Sequence, residues 1–82
     1  MTRFVVCGET LIDLVRSKEP AQGHFSTTWQ ALSAGGPMNS AVALGQLGAD
    51  VHFLGRISDD AFGGQLRGHI TGAGVQLDLA AE

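Results

Sequence analysis

Four residues in this sequence have the chemistry to hold a hydroxyl-bearing or anionic small molecule: Asp13, Gly35, Gly36 and Asn39. A carboxylate offers two acceptor oxygens and so can take hydrogen bonds from two neighbouring hydroxyls. Asp13 interrupts the apolar run Leu11-Ile12-Asp13-Leu14-Val15. A carboxylate buried there without partners is costly, so it must stand at an edge, accept N–H donors or face a ligand. In Ala34-Gly35-Gly36-Pro37-Met38-Asn39 the adjacent glycines leave backbone amides uncovered and reach φ values closed to other residues. Pro37 suits the first position of a helix, and the Ala-, Val- and Leu-rich stretch from Met38 to Leu47 predicts one. The first turn of that helix presents unpaired N–H groups, a partial positive charge and the Asn39 amide. The same six residues also read as a tight turn before a well-made helix start.

The elements that must position these residues follow from the apolar pattern. Phe4-Val5-Val6-Cys7 is a continuous apolar run ending at Gly8, as in a parallel strand covered on both faces, with Cys7 a small buried hydrophobe. Arg16 to Gly23 has the composition of a surface turn, and segments 10–16 and 26–33 are expected to pair as a hairpin apart from the main sheet. Trp29 fits an interface or core position, or a ligand-stacking one. The helix from Pro37 carries Ala41, Leu44 and Leu47 on one side, with Val42 adjacent; Ala43 and Gly45 allow close approach to a sheet, and Gly48 ends it. Val51-His52-Phe53-Leu54 is a second core strand. Asp59 or Asp60 caps the next helix, whose Phe62, Leu66 and Ile70 recur every four residues, and Gly72 and Gly74 end it. Val75 to Leu79 begins a further strand. The order is βαβα with a two-strand insertion, an α/β layout with parallel strands and a right-handed crossover. Ligands in such sheets bind beyond the carboxyl ends of the strands, where Gly8 and the start of the helix both fall.

Composition narrows the function classes. Eighty-two residues make at most one domain, 44% of them hydrophobic and 16% charged, which is globular. A formal net charge of -3 with five Lys+Arg argues against nucleic acid or an anionic membrane as partner. One cysteine permits no intrachain disulfide. No signal-peptide core or membrane-length apolar run is present, so a cytoplasmic protein is expected. The sequence lacks a G-x-x-x-x-G-K-S/T phosphate loop and a G-x-G-x-x-G dinucleotide fingerprint, which disfavours an oxidoreductase. His24, His52 and His69 lack metal-ligand spacing and read as surface or strand positions. Gly63-Gly64, in the first turn of the second helix, implies close packing there.

Four blocks in order, Val6-Cys7-Gly8-Glu9-Thr10-Leu11-Ile12-Asp13, Ala34 to Ala41, Leu47-Gly48-Ala49 and Leu54 to Gly63, resemble the opening of a PfkB/ribokinase-family carbohydrate kinase. The G-E-x-L-I-D opening is most similar to the fructokinase and ketodeoxygluconate-kinase branches. The resemblance implies a ribokinase-like α/β fold, a mostly parallel sheet flanked by helices with a small β lid. Residues 1–82 would be its amino-terminal, sugar-side portion, and the 10–16 and 26–33 hairpin its lid and, in many members, a homodimer interface. It implies sugar-binding roles for the residues matching Asp13 and Asn39, and backbone amides brought to the substrate at Gly35 and Gly36. The spacing between the glycine pair and the asparagine is one residue shorter than is usual in the family. The G-A-G-D catalytic block, the ATP-binding segments and the acidic residues associated with Mg2+ lie in a carboxyl-terminal part not matched here. No catalytic, nucleotide or metal residue is therefore expected in this chain. The expected activity is ATP-dependent phosphorylation of a sugar hydroxyl by a longer parent protein, the 82 residues alone being inactive. A nucleoside kinase of the same family, and a non-catalytic sugar-binding or interaction fragment, are the alternative readings.

Overall fold

The computed structural model describes residues 2–18 and 23–82. The two apolar runs read as core strands form β1 (Arg3–Cys7) and β4 (Asp50–Leu54), paired in parallel with Phe4 opposite Val51 and Val6 opposite Phe53. Between them in sequence, β2 (Leu11–Arg16) and β3 (Trp29–Ala34) pair antiparallel as a separate two-stranded sheet, with Leu11 opposite Ala34 and Asp13 opposite Leu32. The expected hairpin is thus present, its second strand beginning three residues later than 26. The surface turn expected over 16–23 falls partly on residues 19–22, outside the described residues.

Helix α1 (Gly36–Gln46) packs on β1 and β4, and α2 (Ala61–Gly72) follows β4. Both end alike. Gly48 and Gly74, at φ 83° and 89°, reverse the chain. The amides of Ala49 and Val75 then return to the carbonyls of Leu44 and Ile70 at 3.1 and 3.3 Å, the glycine-dependent Schellman closure. After α2 the chain runs beside β4 through two parallel bridges, His52 with Gln76 and Arg56 with Ala81, in place of a continuous strand.

The core lies between the helices and one face of the small sheet: Met38, Ala41 and Val42 from α1, Val51 and Phe53 from β4, Ile57, Leu66 and Ile70, and Val75. Several expectations of burial change here. Leu47 is 84% exposed, because the buried stripe of α1 runs through Met38, Ala41 and Val42, with Leu44 partly buried. In α2 the inward residue of the first turn is Gly63, not Phe62. A Cβ on Gly45 would collide with the Ala73 carbonyl oxygen, so this glycine sets the spacing of α1 from the end of α2. β1 is covered on one face only. Val6 meets the core, whereas Val5 and Cys7, on the other face by strand alternation, are exposed. The pairing of β1 with β4 occupies one of its edges.

The hairpin projects from this core. The chain measures 56 × 25 × 17 Å with a radius of gyration of 15.1 Å, against about 12 Å for a compact domain of this length. Trp29, at 54% exposed, is on the projecting hairpin and not in the core. On the sheet face away from Val51 and Phe53, His52 is buried and its Nδ1 lies 2.6 Å from Asp78 Oδ1. That bond holds the Asp78 carboxyl below the ordinary aspartate range. His52 Nε2 stands 3.2 Å from Asp50 Oδ1 but off the hydrogen-bonding direction.

Candidate functional site

The link between β1 and β2 seats directly on the start of α1. At the end of β1 the Gly8 amide donates to the Leu54 carbonyl at 3.1 Å, fixing the carboxyl end of the two-stranded sheet. The Pro37 ring occupies the place a Gly8 side chain would take. Gly35, at φ 121°, packs so tightly on the preceding link that a Cβ would lie 2.8 Å from the Glu9 carbonyl oxygen and 3.1 Å from Thr10 Cα. Thr10 Oγ1 lies 3.3 Å from the Ala34 carbonyl oxygen and 3.0 Å from Met38 Sδ, its one proton serving either acceptor. These contacts bring residues 8–10 and 34–38 into one block from which both the hairpin and α1 emerge.

At that block α1 begins without a side-chain cap. Gly35 holds the cap position, Gly36 and Pro37 open the first turn, and the Asn39 amide closes it on the Gly35 carbonyl at 2.9 Å. The helix thus starts one residue before Pro37. The backbone N–H groups of Gly36 and Met38 precede the first intrahelical donor, and no side chain accepts from them. Gly35 and Gly36 differ in what they require. Gly35 needs glycine for its backbone angle and its contact with Glu9. A Cβ on Gly36 would meet nothing within 4 Å, so the fold leaves open space beside this exposed residue.

Asn39 stands exposed in this first turn while its neighbour Met38 turns fully into the core. Asp13 is exposed on β2, two residues beyond the pairing of Leu11 with Ala34, about 7 Å along the strand. By strand alternation its side chain leaves the hairpin on the face opposite Ile12, which packs against the core. Neither Asp13 nor Asn39 forms a side-chain hydrogen bond within the described residues. Of the readings open for Asp13, accepting backbone N–H donors of the described chain therefore drops out, leaving an edge position or a ligand. The structure groups Gly35, Gly36 and Asn39 in one helical turn and sets Asp13 on the adjoining strand. No hydrogen bond joins it to them, and no cavity among the described residues encloses the four.

Sequence reasoning missed Thr10, the hydroxyl that ties the hairpin base to α1, and Gln65. From the second turn of α2, Gln65 Nε2 reaches the Ala31 carbonyl oxygen at 2.9 Å and Ser33 Oγ at 3.2 Å. Neither had a local signal, since each acts across more than twenty residues of sequence. The described residues hold no cluster of His, Cys, Asp and Glu fit for a metal ion. They also lack a lysine in a glycine-rich loop.

With this geometry in place, the comparison with known proteins decides the lineage. Residues 1–80 match the pfkB family carbohydrate kinases. The chain belongs to that family. It is 35% identical over 74 residues to a 5-dehydro-2-deoxygluconokinase of Photobacterium profundum, covering 90% of this chain and 22% of that protein. It is 33% identical over 82 residues to the ribokinase of Bacillus subtilis, covering 95% and 28%. Its fold superposes on a fructokinase from Xylella fastidiosa with bound ATP at a TM-score of 0.85 and 30% identity, covering 96% of this chain and 25% of that one. The ribokinase-like α/β architecture, the hairpin included, is therefore that of pfkB kinases, and this chain spans about a quarter of the length of the curated relatives it matches.

Proposed function

We propose that the protein to which these 82 residues belong transfers the terminal phosphoryl group of ATP to a hydroxyl of a small sugar, fructose-like or ketodeoxygluconate-like, and that this chain supplies the acceptor side of the site. The observation that carries the reading is the pairing of an uncapped helix start with two unpartnered polar side chains, Asp13 and Asn39, in a pfkB-family chain. The Asp13 carboxylate accepts from two sugar hydroxyls, and each such charged hydrogen bond is worth roughly 1.5–3 kcal/mol. The Asn39 amide both donates and accepts. The open space at Gly36 lets a hydroxyl oxygen approach its backbone N–H. Together they orient the acceptor hydroxyl, one of the requirements of phosphoryl transfer beside a base, a metal-bound nucleotide and charge stabilisation.

In this reading residues outside these 82 provide the base and the ATP and Mg2+ sites, and the 82 residues alone are inactive. The hairpin acts as a lid over the sugar, and its exposed Leu14, Val15, Trp29 and Leu32 suit contact with a second copy in a homodimer. The net charge of -3 over these 82 residues disfavours nucleic acid or an anionic membrane as partner of this portion, and the enzyme is read as cytoplasmic.

The test is Asp13→Asn in the full-length protein, which keeps the shape and replaces one acceptor by a donor. The reading expects the KM for fructose or ketodeoxygluconate to rise tens-fold or more, with the melting temperature unchanged. Unchanged sugar KM in a folded variant overturns it.

A further inference from the structure

The hairpin is attached to the body of the chain at two levels. At its base, residues 8–10 and 34–37 lock together. Higher up its two strands hydrogen-bond as a sheet of their own, Ile12 packs against the core, and among the described residues the Gln65 side chain hydrogen-bonds across to β3. Gln65 on α2 gives both protons of its amide nitrogen, one to the Ala31 carbonyl oxygen at 2.9 Å and one to Ser33 Oγ at 3.2 Å. The orientation of the amide is fixed chemically, because a carbonyl oxygen only accepts and so must face the NH2 group. Ala31 lies three residues above Ala34, about 10 Å along the strand. The tether therefore acts well beyond the base.

Its attachment points have a particular register. Ala31 and Ser33 flank Leu32, and Leu32 is the residue paired with Asp13. Ile12 and Leu14, on either side of Asp13, are paired with Ser33 and Ala31. Gln65 thus grips β3 at the two positions that bracket the Asp13 pair. The helix that carries it is itself held firmly. Asp60 caps α2, Arg67 donates to the carbonyls of Ser58 and Ile57 at 2.7 and 3.0 Å, and Leu66 and Ile70 lie in the core.

We propose that Gln65 is a positioning residue for the sugar: it sets the angle of the hairpin on its base and so the distance of the Asp13 carboxylate from the start of α1. The inference rests on the sugar-binding reading of Asp13. Gln65 touches no substrate. Its loss lets the hairpin pivot about residues 8–10 and 34–37 while the core stays intact.

The experiment is a cycle in the full-length protein with fructose and ketodeoxygluconate as sugars, comparing Gln65→Ala, Asp13→Asn and the double variant. Gln65→Ala is expected to raise sugar KM about fivefold, leaving the KM for ATP and the melting temperature unchanged. Hydrogen exchange should quicken across residues 11–16 and 29–34 but not across α2. Because Gln65 acts through Asp13, the double variant should have the sugar KM of Asp13→Asn alone. Ser33→Ala, which removes only the 3.2 Å contact, should give a smaller change in the same direction and stands in if Gln65→Ala fails to fold. Unchanged sugar KM in Gln65→Ala beside an impaired Asp13→Asn overturns the tether alone, as does a double variant whose effects multiply. Unchanged sugar KM in Asp13→Asn overturns the sugar-binding reading beneath it.

Discussion

The two helices of the described residues begin in opposite ways. α2 starts at Asp60, whose carboxylate accepts from the Gly63 amide at 2.8 Å and from Ser58 Oγ at 2.7 Å. These donors, the amide first, hold the Asp60 carboxyl below the ordinary aspartate range. α1 starts at Gly35 with no side-chain acceptor at all, beside an exposed asparagine and open space. The orphan amides of an exposed helix start are satisfied by a side-chain cap, by water or by a ligand, and α1 has no such cap. The start of α1 is thus left to water or a ligand. In the function proposed here that ligand is the sugar.

Glycine substitutions break the comparison most sharply. Gly63 and Gly64 are neighbours in sequence with opposite surroundings. A Cβ on Gly63 collides with the backbone carbonyl oxygen of Ser58, which no rotamer change relieves, whereas one on Gly64 meets nothing. Gly63→Ala is expected to destabilise by about 1–3 kcal/mol, and Gly64→Ala to stabilise by roughly 0.5–1 kcal/mol through the lost entropy of glycine. Thermal and denaturant melts of the full-length variants check both signs, and sugar affinity should not change in either.

Gly36→Ala carries the same substitution to the other helix start, also into empty space. The melt should show no loss of stability, yet calorimetry should show sugar binding weakened by about tenfold or more, since the methyl occupies the approach to the amides. A variant that melts as wild type and binds sugar as wild type would remove the distinction between the two helix starts.

The smallest effect is electrostatic. Asp60 has a folded-state pKa below its unfolded value, so its contribution to stability is fully present above about pH 4 and is lost as pH falls through the lower folded value. Asp60→Asn should therefore flatten the acid limb of stability in that window and leave the neutral-pH sugar KM untouched. An acid limb identical to wild type contradicts the capping role.

Much of the fold was legible because it is written locally. The apolar runs at 4–7 and 51–54, each closed by a glycine, marked the two parallel strands. Gly48 and Gly74 marked the helix ends through the left-handed angle each adopts. The candidate residues Asp13, Gly35, Gly36 and Asn39 were visible as a carboxylate in an apolar strand and a glycine pair before a helix. What pattern could not show was which apolar residues lack a cover. Phe62 and Leu47 fit the helical period but face outward, since the inward direction is set by where α1, α2 and β4 meet. The tight fit of Gly63 on Ser58 and the reach of Gln65 to β3 likewise exist only once separate segments are placed together.

The central claim is that the open start of α1 and Asp13 together hold the sugar. The most direct measurement is a crystal structure of the full-length protein with fructose or ketodeoxygluconate bound. The expected result has sugar hydroxyls within hydrogen-bonding distance of the Asp13 carboxylate and the Asn39 amide, and a sugar oxygen at the Gly36 amide. A sugar bound elsewhere, with Asp13 and the start of α1 facing only solvent, would contradict it.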